Sequence, residues 1–232
     1  GINLRQCRAV WNECRRRGYL LQTKYPFSNS EPGLVAIPAP ASRKDCYLDV
    51  ERMTQLYNVF INKNYPATWK RNYVKNVHES LGLFLVQYLG NGCNLVDVAQ
   101  LTYSQYFFDT ERRAFRFYRK KTRLRSKNSS EVIIPIMEPL RRIVEEIGAP
   151  PKLNAPVFPQ ILNGVTKENE IRERVSNENS NIQDRVIKVC QDVLHWEVRP
   201  SGTWCRHSFA TNLDHAGVER SYIDESMVWG DD

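Results

Sequence analysis

The sequence predicts a mainly helical protein folded around one small three-stranded antiparallel sheet. Three observations carry that expectation. Apolar residues recur at three- and four-residue steps through most of the chain, as at Val50, Met53, Leu56, Tyr57 and Phe60. One stretch alone, residues 105–136, switches to short runs of aromatic and β-branched residues divided by polar breaks. Apolar residues make up 41% of the chain and aromatics 11%, enough to bury a core and to exclude a disordered tail.

The elements follow in order. Residues 3–22 read as one basic helix, with Gly18 marking where its end begins. "KYPFSNSEPGLVAIPAPASRKDCY" is rich in proline, glycine and serine and reads as a linker without regular structure. A helix starts near Asp49. "ATWKRNYVKNVHESLGLFLVQYLGNG" is a longer helix that turns apolar and stops at Gly90-Asn91-Gly92. "NLVDVAQLT" is a short helix with Leu95, Val98 and Leu101 inward. Residues 105–136 form the three-stranded meander, broken at "DTERR" and "RSKNSSE". "EPLRRIVEEIG" restores helix. Residues 149–169 are loop-like, with prolines at 150, 151, 156 and 159. "SNIQDRVIKVCQDVL" is an amphipathic helix with Ser180 as its cap. Two helices follow "RPSGT": "WCRHSFATNLDHAG" and "ERSYIDESMVW".

With 33 Lys and Arg against 26 Asp and Glu, the chain carries a net charge of +7. Such a surplus favours a polyanionic partner, nucleic acid before an anionic membrane surface. No apolar run reaches the ~20 residues that span a bilayer, and no amino-terminal signal region is visible. The chain opens in what reads as mid-helix, so its start is expected to be a cut end. The six cysteines, Cys7, Cys14, Cys46, Cys93, Cys190 and Cys205, form no CxxC pair and no zinc-ligand spacing with histidine. A reducing cytoplasm is expected, with no metal, no cofactor and no disulfide.

Arg206 and His207 stand at the start of an apolar helix, where a cation opposes the helix dipole. An anion held at the same end would reward it. Phe209, Ala210 and Leu213 are expected to anchor this helix in the core and hold Arg206 rigid at its rim. A fixed guanidinium suits a phosphate. It equally suits an internal pair with a carboxylate such as Asp97 or Glu225. The hairpin tip carries Arg119, Lys120, Lys121, Arg123, Arg125 and Lys127. It either lays cations against phosphates or guards an exposed strand edge in solvent. Trp229 is either a core anchor or an indole donor to a phosphate oxygen.

"RHSFATNLDHAGVERSYIDESM" closely resembles the segment of the tyrosine recombinases, or phage integrases, that bears their second active-site arginine. "NGCNLVDVAQL" is similar to the helix after the family's first arginine motif. "FRFYRKKT" followed by "EVIIPI" resembles the hairpin that presents its lysine. "LRQCRAVWNECRRRGYLLQTKYPF" resembles the last helix of the core-binding domain, and "LDVERMTQLYN" the first helix of the catalytic domain. The wording is most like that of integrases from bacterial conjugative transposons. The resemblance spans nearly the whole chain. It implies residues 1–28 as the end of a core-binding domain, 29–45 as a linker, and 46–232 as a catalytic domain lacking its carboxyl-terminal segment.

Carried over residue by residue, Arg206 matches the second arginine and Lys121 the hairpin lysine, with Lys120 a near alternative. Trp229 falls where the family has histidine or tryptophan. His207 matches the histidine that usually follows the second arginine, in a structural hydrogen-bonding role, and Asp97 is expected to give structural support. Lys120, Arg123, Arg125 and Lys127 become DNA contacts. Three departures stand out. Asn94 occupies the first arginine's place, with Arg71 or Lys75 as candidate substitutes. Thr203 stands for the histidine three residues before Arg206. No tyrosine follows Trp229 by residue 232, so the nucleophile is expected beyond it. Tyr222 precedes Trp229 and matches a packing aromatic.

The resemblance implies site-specific recombination of a mobile element on double-stranded DNA. Arg206 and Trp229 would clamp the phosphate, a tyrosine would attack phosphorus to form a phosphotyrosyl link, and Lys121 would protonate the 5′ hydroxyl that leaves. Neither ATP nor metal is required. Self-association on DNA and a nucleoid-associated location in the cytoplasm follow, with no membrane partner. Two alternatives remain open: a DNA-binding relative without chemistry, and a basic helical scaffold for acidic proteins.

Overall fold

The structure, a computed structural model, describes residues 2–20, 25–28, 34–36, 46–118 and 131–227. It divides into two compact units, Gly1–Asp45 and Cys46–Asp232.

The first unit holds α1 (Ile2–Arg16). The helix ends at Arg16 rather than at 22 because Gly18 takes φ +76. The chain folds back there, with Tyr19 N donating to Cys14 O at 2.9 Å. Glu13 accepts hydrogen bonds from both Arg16 and Arg17. Downstream, Phe27 and Val35 form an isolated parallel bridge. The proline-rich stretch therefore contains one paired position where none was expected.

The second unit begins with α2 (Val50–Asn62), capped by Asp49, whose Oδ1 accepts from Arg52 N at 2.8 Å. Its buried face is Met53, Leu56, Val59 and Phe60, whereas Val50, expected inside, is exposed. The central element is α3 (Arg71–Leu89). Every residue from Leu81 to Gln87 is buried, as in a helix enclosed on all sides. After α4 (Leu95–Val98) comes a single 3₁₀ turn (Gln105–Phe107), then β1 (Ala114–Tyr118) and β2 (Glu131–Pro135). The remaining helices are α5 (Glu138–Ile147), α6 (Pro159–Leu162), α7 (Glu168–Asp192), α8 (Gly202–His215) and α9 (Arg220–Met227). Helices α2, α5, α7 and α8 pack round α3. No helix of the described residues is long and apolar enough to cross a membrane.

The sheet has two strands among the described residues, not three. They pair antiparallel, with Phe115 opposite Ile134 and Phe117 opposite Val132. The expected first strand, around 105–108, is the 3₁₀ turn. The backbone ahead of it is already engaged: Tyr103 N donates to Ala155 O and Asn154 N to Tyr103 O. Phe107 is buried and stacks on Phe115 at 5.5 Å, while Phe108 faces solvent. Asp109 then closes a turn by accepting from the backbone N–H of Glu111 and Arg112.

Helix α7 starts at Glu168, not Ser180. Ser180 lies inside it and donates back to Ser176 O at 3.2 Å. The polar run before it stays helical because Ile171, Val175 and Ile182 supply the inner side, four and seven residues apart. The stretch 149–169 is likewise less irregular than expected, since it includes α6 and the start of α7.

Helix α8 also differs from expectation. Its buried side is Cys205, Ser208 and Asn212, while Phe209, Ala210 and Leu213 are only half-buried. Polar groups reach the core because the segment before α2 needs partners there. Leu48, fully buried, donates its N–H to Ser208 Oγ at 2.8 Å. Asn212 Nδ2 donates to Leu48 O at 3.1 Å and to the Tyr88 hydroxyl at 3.0 Å. Burial raises the Tyr88 phenol, which therefore stays protonated. Asn212→Ala strands these buried acceptors and is expected to lower stability by about 1–3 kcal/mol. Urea unfolding checks it, and Asn212→Asp, which removes the donating amide, should not restore the loss.

A second polar cluster joins α2, α3 and α5. His78 stacks on Phe60 at 4.3 Å, and its Nδ1 lies 2.9 Å from the Tyr65 hydroxyl. Its Nε2 is 3.3 Å from Glu146 Oε1, to which Lys63 Nζ also pairs at 2.5 Å. Burial holds the His78 pKa below its ordinary value, with Lys63 adding to the effect and Glu146 opposing it. The Lys63 ammonium holds the Glu146 carboxyl low. Both shifts mean that the unfolded chain binds protons more tightly than the folded one. Stability is therefore expected to fall first as pH drops below about 6.5, the ordinary histidine value, and again below about 4.3. His78→Gln should flatten the first step in unfolding midpoints measured from pH 8 to 5.

Candidate functional site

Arg206 lies half-buried on the second turn of α8. Its Nη1 donates to Gly92 O and its Nη2 to Met227 O, each at 3.2 Å. Both acceptors are main-chain carbonyls, and these bonds orient the guanidinium. They also join three segments far apart in sequence: the turn after α3, the start of α8 and the end of α9.

The turn explains the close approach. Helix α3 stops where Gly90 N bonds to Val86 O, and Asn91 and Gly92 follow at φ 58 and +64. Asn91 Nδ2 donates to Ile133 O at 3.0 Å, which fastens the turn to β2. A Cβ on Gly92 would stand 3.0 Å from Arg206 Cα and 3.3 Å from Met227 Cε. Only glycine lets the turn lie against α8 in this backbone conformation. In the sequence "GNG" reads only as a helix stop, and this second role is not visible in that reading. The signal was present, since two glycines around an asparagine are more than a stop needs.

Asn94 follows two residues after Gly92, exposed at the cap position of α4. Its carbonyl accepts from Asp97 N and Val98 N, and its side chain makes no cap bond. Asp97 is half-buried on α4 and Glu225 is exposed on α9. Arg71 and Lys75 do not reach Asn94. They sit on the first turns of α3, roughly 20–27 Å along its axis from Leu89.

Thr203 is exposed on the first turn of α8, its Oγ1 2.9 Å from Ser201 Oγ. Gly202 seats that end of the helix, since a Cβ there would stand 2.5 Å from Asn179 Oδ1. His207 is half-buried beside Arg206. Cys205, the other neighbour, donates its thiol to Phe84 O at 3.3 Å, and burial pushes its pKa well above the ordinary thiol value. It is a core residue and not a nucleophile. Tyr222, matched to a packing aromatic, is instead exposed, because α9 turns Ile223 and Met227 inward. Lys120, Lys121, Arg123, Arg125, Lys127 and Trp229 lie outside the described residues. At the base of the hairpin, Arg116 lies over the Tyr106 ring at 4.1 Å and 3.8 Å from Glu131. Among the described residues no group of three or more His, Cys, Asp or Glu is placed to hold a metal ion.

The arrangement offers an oriented guanidinium, an adjoining turn with an exposed amide, and a helix that ends just before Trp229 in the sequence. No family model, no curated protein and no solved structure matches this chain.

Proposed function

We propose that the chain is the catalytic domain of a tyrosine-type DNA recombinase, preceded by the end of its core-binding domain. The observation that carries this reading is the seat of Arg206. The two stretches that carry the family resemblance around the arginines, 91–101 and 206–227, meet at its guanidinium, which donates to the carbonyls of Gly92 and Met227. A guanidinium held from two sides pays no reorganisation as charge develops on a phosphate. Arg206 and Trp229 would clamp the non-bridging oxygens, Lys121 would protonate the departing 5′ oxygen, and a tyrosine would take the phosphorus. The covalent link conserves the phosphodiester bond energy, so strand exchange needs no ATP. The basic hairpin, Lys120, Arg123, Arg125 and Lys127 included, and the net charge of +7 serve binding to duplex DNA.

The test is a nicked duplex that loses its cleaved fragment and traps the covalent intermediate. The full-length protein is expected to form an adduct that survives denaturation. A second reading, DNA binding without chemistry, is favoured by one observation: Asn94, neutral and exposed, has neither Arg71 nor Lys75 near enough to replace the first arginine's charge. Tight, salt-dependent binding to duplex with no adduct would decide for it.

A further inference from the structure

Away from Arg206, the first turn of α3, the second half of α7 and the segment before α8 enclose a groove of about 440 Å³. Its lining includes Tyr73, Asn181, Arg185, Lys188, Gln191 and Arg199. Arg, Lys, Asn, Gln and Tyr are the side chains that hydrogen-bond phosphate oxygens in DNA complexes. One carboxylate, Asp184, shares the lining with three cations.

The cations have different duties. Arg185 is built into the fold: its Nη1 donates to Ser80 Oγ at 3.0 Å, and Glu178 stands 3.8 Å away. Lys188 is exposed, and its nearest carboxylate, Asp192, lies 3.6 Å off, beyond a good hydrogen bond. Arg199 is exposed and has no ion pair among the described residues. Two exposed cations and two amides thus surround a third cation fixed in the fold. The groove is open to solvent rather than a closed cavity, so it does not enclose a small ligand in the way that mononucleotide pockets do. A polymer lying along it satisfies the donors without needing enclosure.

We infer that this groove is a second contact for duplex DNA, gripping the phosphodiester backbone through Lys188 and Arg199, neither of which the family resemblance singles out. The inference rests on the DNA-binding reading given above.

The experiment measures binding of the whole chain to a labelled random-sequence duplex between 50 and 200 mM salt. Wild type is compared with Lys188→Ala/Arg199→Ala and with Arg199→Glu. Two lost phosphate contacts lower the salt slope by about 1.8, so the variant's affinity should change about 12-fold less than wild type's over that range. Both residues are exposed, so thermal unfolding should not move. If wild type binds duplex and the double variant matches its affinity and slope, the groove inference fails while the DNA reading stands. If wild type does not bind duplex at 50 mM salt, both fail. If inorganic phosphate or a mononucleotide binds wild type but not the variant, with duplex affinities equal, the groove is a small-anion site and the inference fails.

Discussion

Arg206→Ala is expected to cut adduct formation on a nicked duplex by 10²–10³-fold, about 3 kcal/mol of barrier, the usual loss when one preorganised donor to a developing anion is removed. The fold should survive. Its bonds to the carbonyls of Gly92 and Met227 are each worth about 1 kcal/mol net. Duplex affinity should fall little, because one phosphate contact among many is lost. Arg206→Lys sharpens the reading. It restores the charge but not the fork that reaches two carbonyls at once, so affinity should recover and cleavage should not. If instead the Ala variant loses activity only in proportion to its unfolded fraction, the arginine is a structural pin between α8 and α9.

What the sequence disclosed follows from the kind of signal each element carries. Helices α2, α5 and α9 were legible because a one-sided apolar stripe has a period that only a helix satisfies. The extra strand was misread because Phe107 and Phe108 are β-formers by type. Their fate was decided by Tyr103 pairing with the 154–155 backbone, a contact about 50 residues away that no local pattern encodes. Helix α8 failed in a more instructive way. Its apolar residues mark one face, yet the buried face is Cys205, Ser208 and Asn212, because the polar backbone of Leu48 required donors and acceptors inside the core. Arg206 could be picked out from its neighbours. The seat that orients it could not, since two of its partners are main-chain carbonyls, and every residue type has one.

That seat makes Gly92→Ala the most informative change in the turn. Gly92 is at φ +64, and a new Cβ would meet Arg206 Cα at 3.0 Å, backbone that cannot swing aside as a side chain would. Gly217 offers a control, since it has φ +78 and a Cβ added there would find nothing within 4 Å. Gly217→Ala is expected to lose only the left-handed backbone term, about 1–2 kcal/mol. Gly92→Ala should lose that and about 1–3 kcal/mol more from crowding against α8. The turn can relieve the crowding only by backing away, which breaks the Gly92 O bond to Nη1 and carries Asn94 with it. Adduct formation should then drop towards the Arg206→Ala level although the arginine is intact, and Gly217→Ala should cleave normally. Equal losses of stability in the two variants, with cleavage unchanged in both, would mean that α8 yields freely at this point and that the turn does not hold the guanidinium in place.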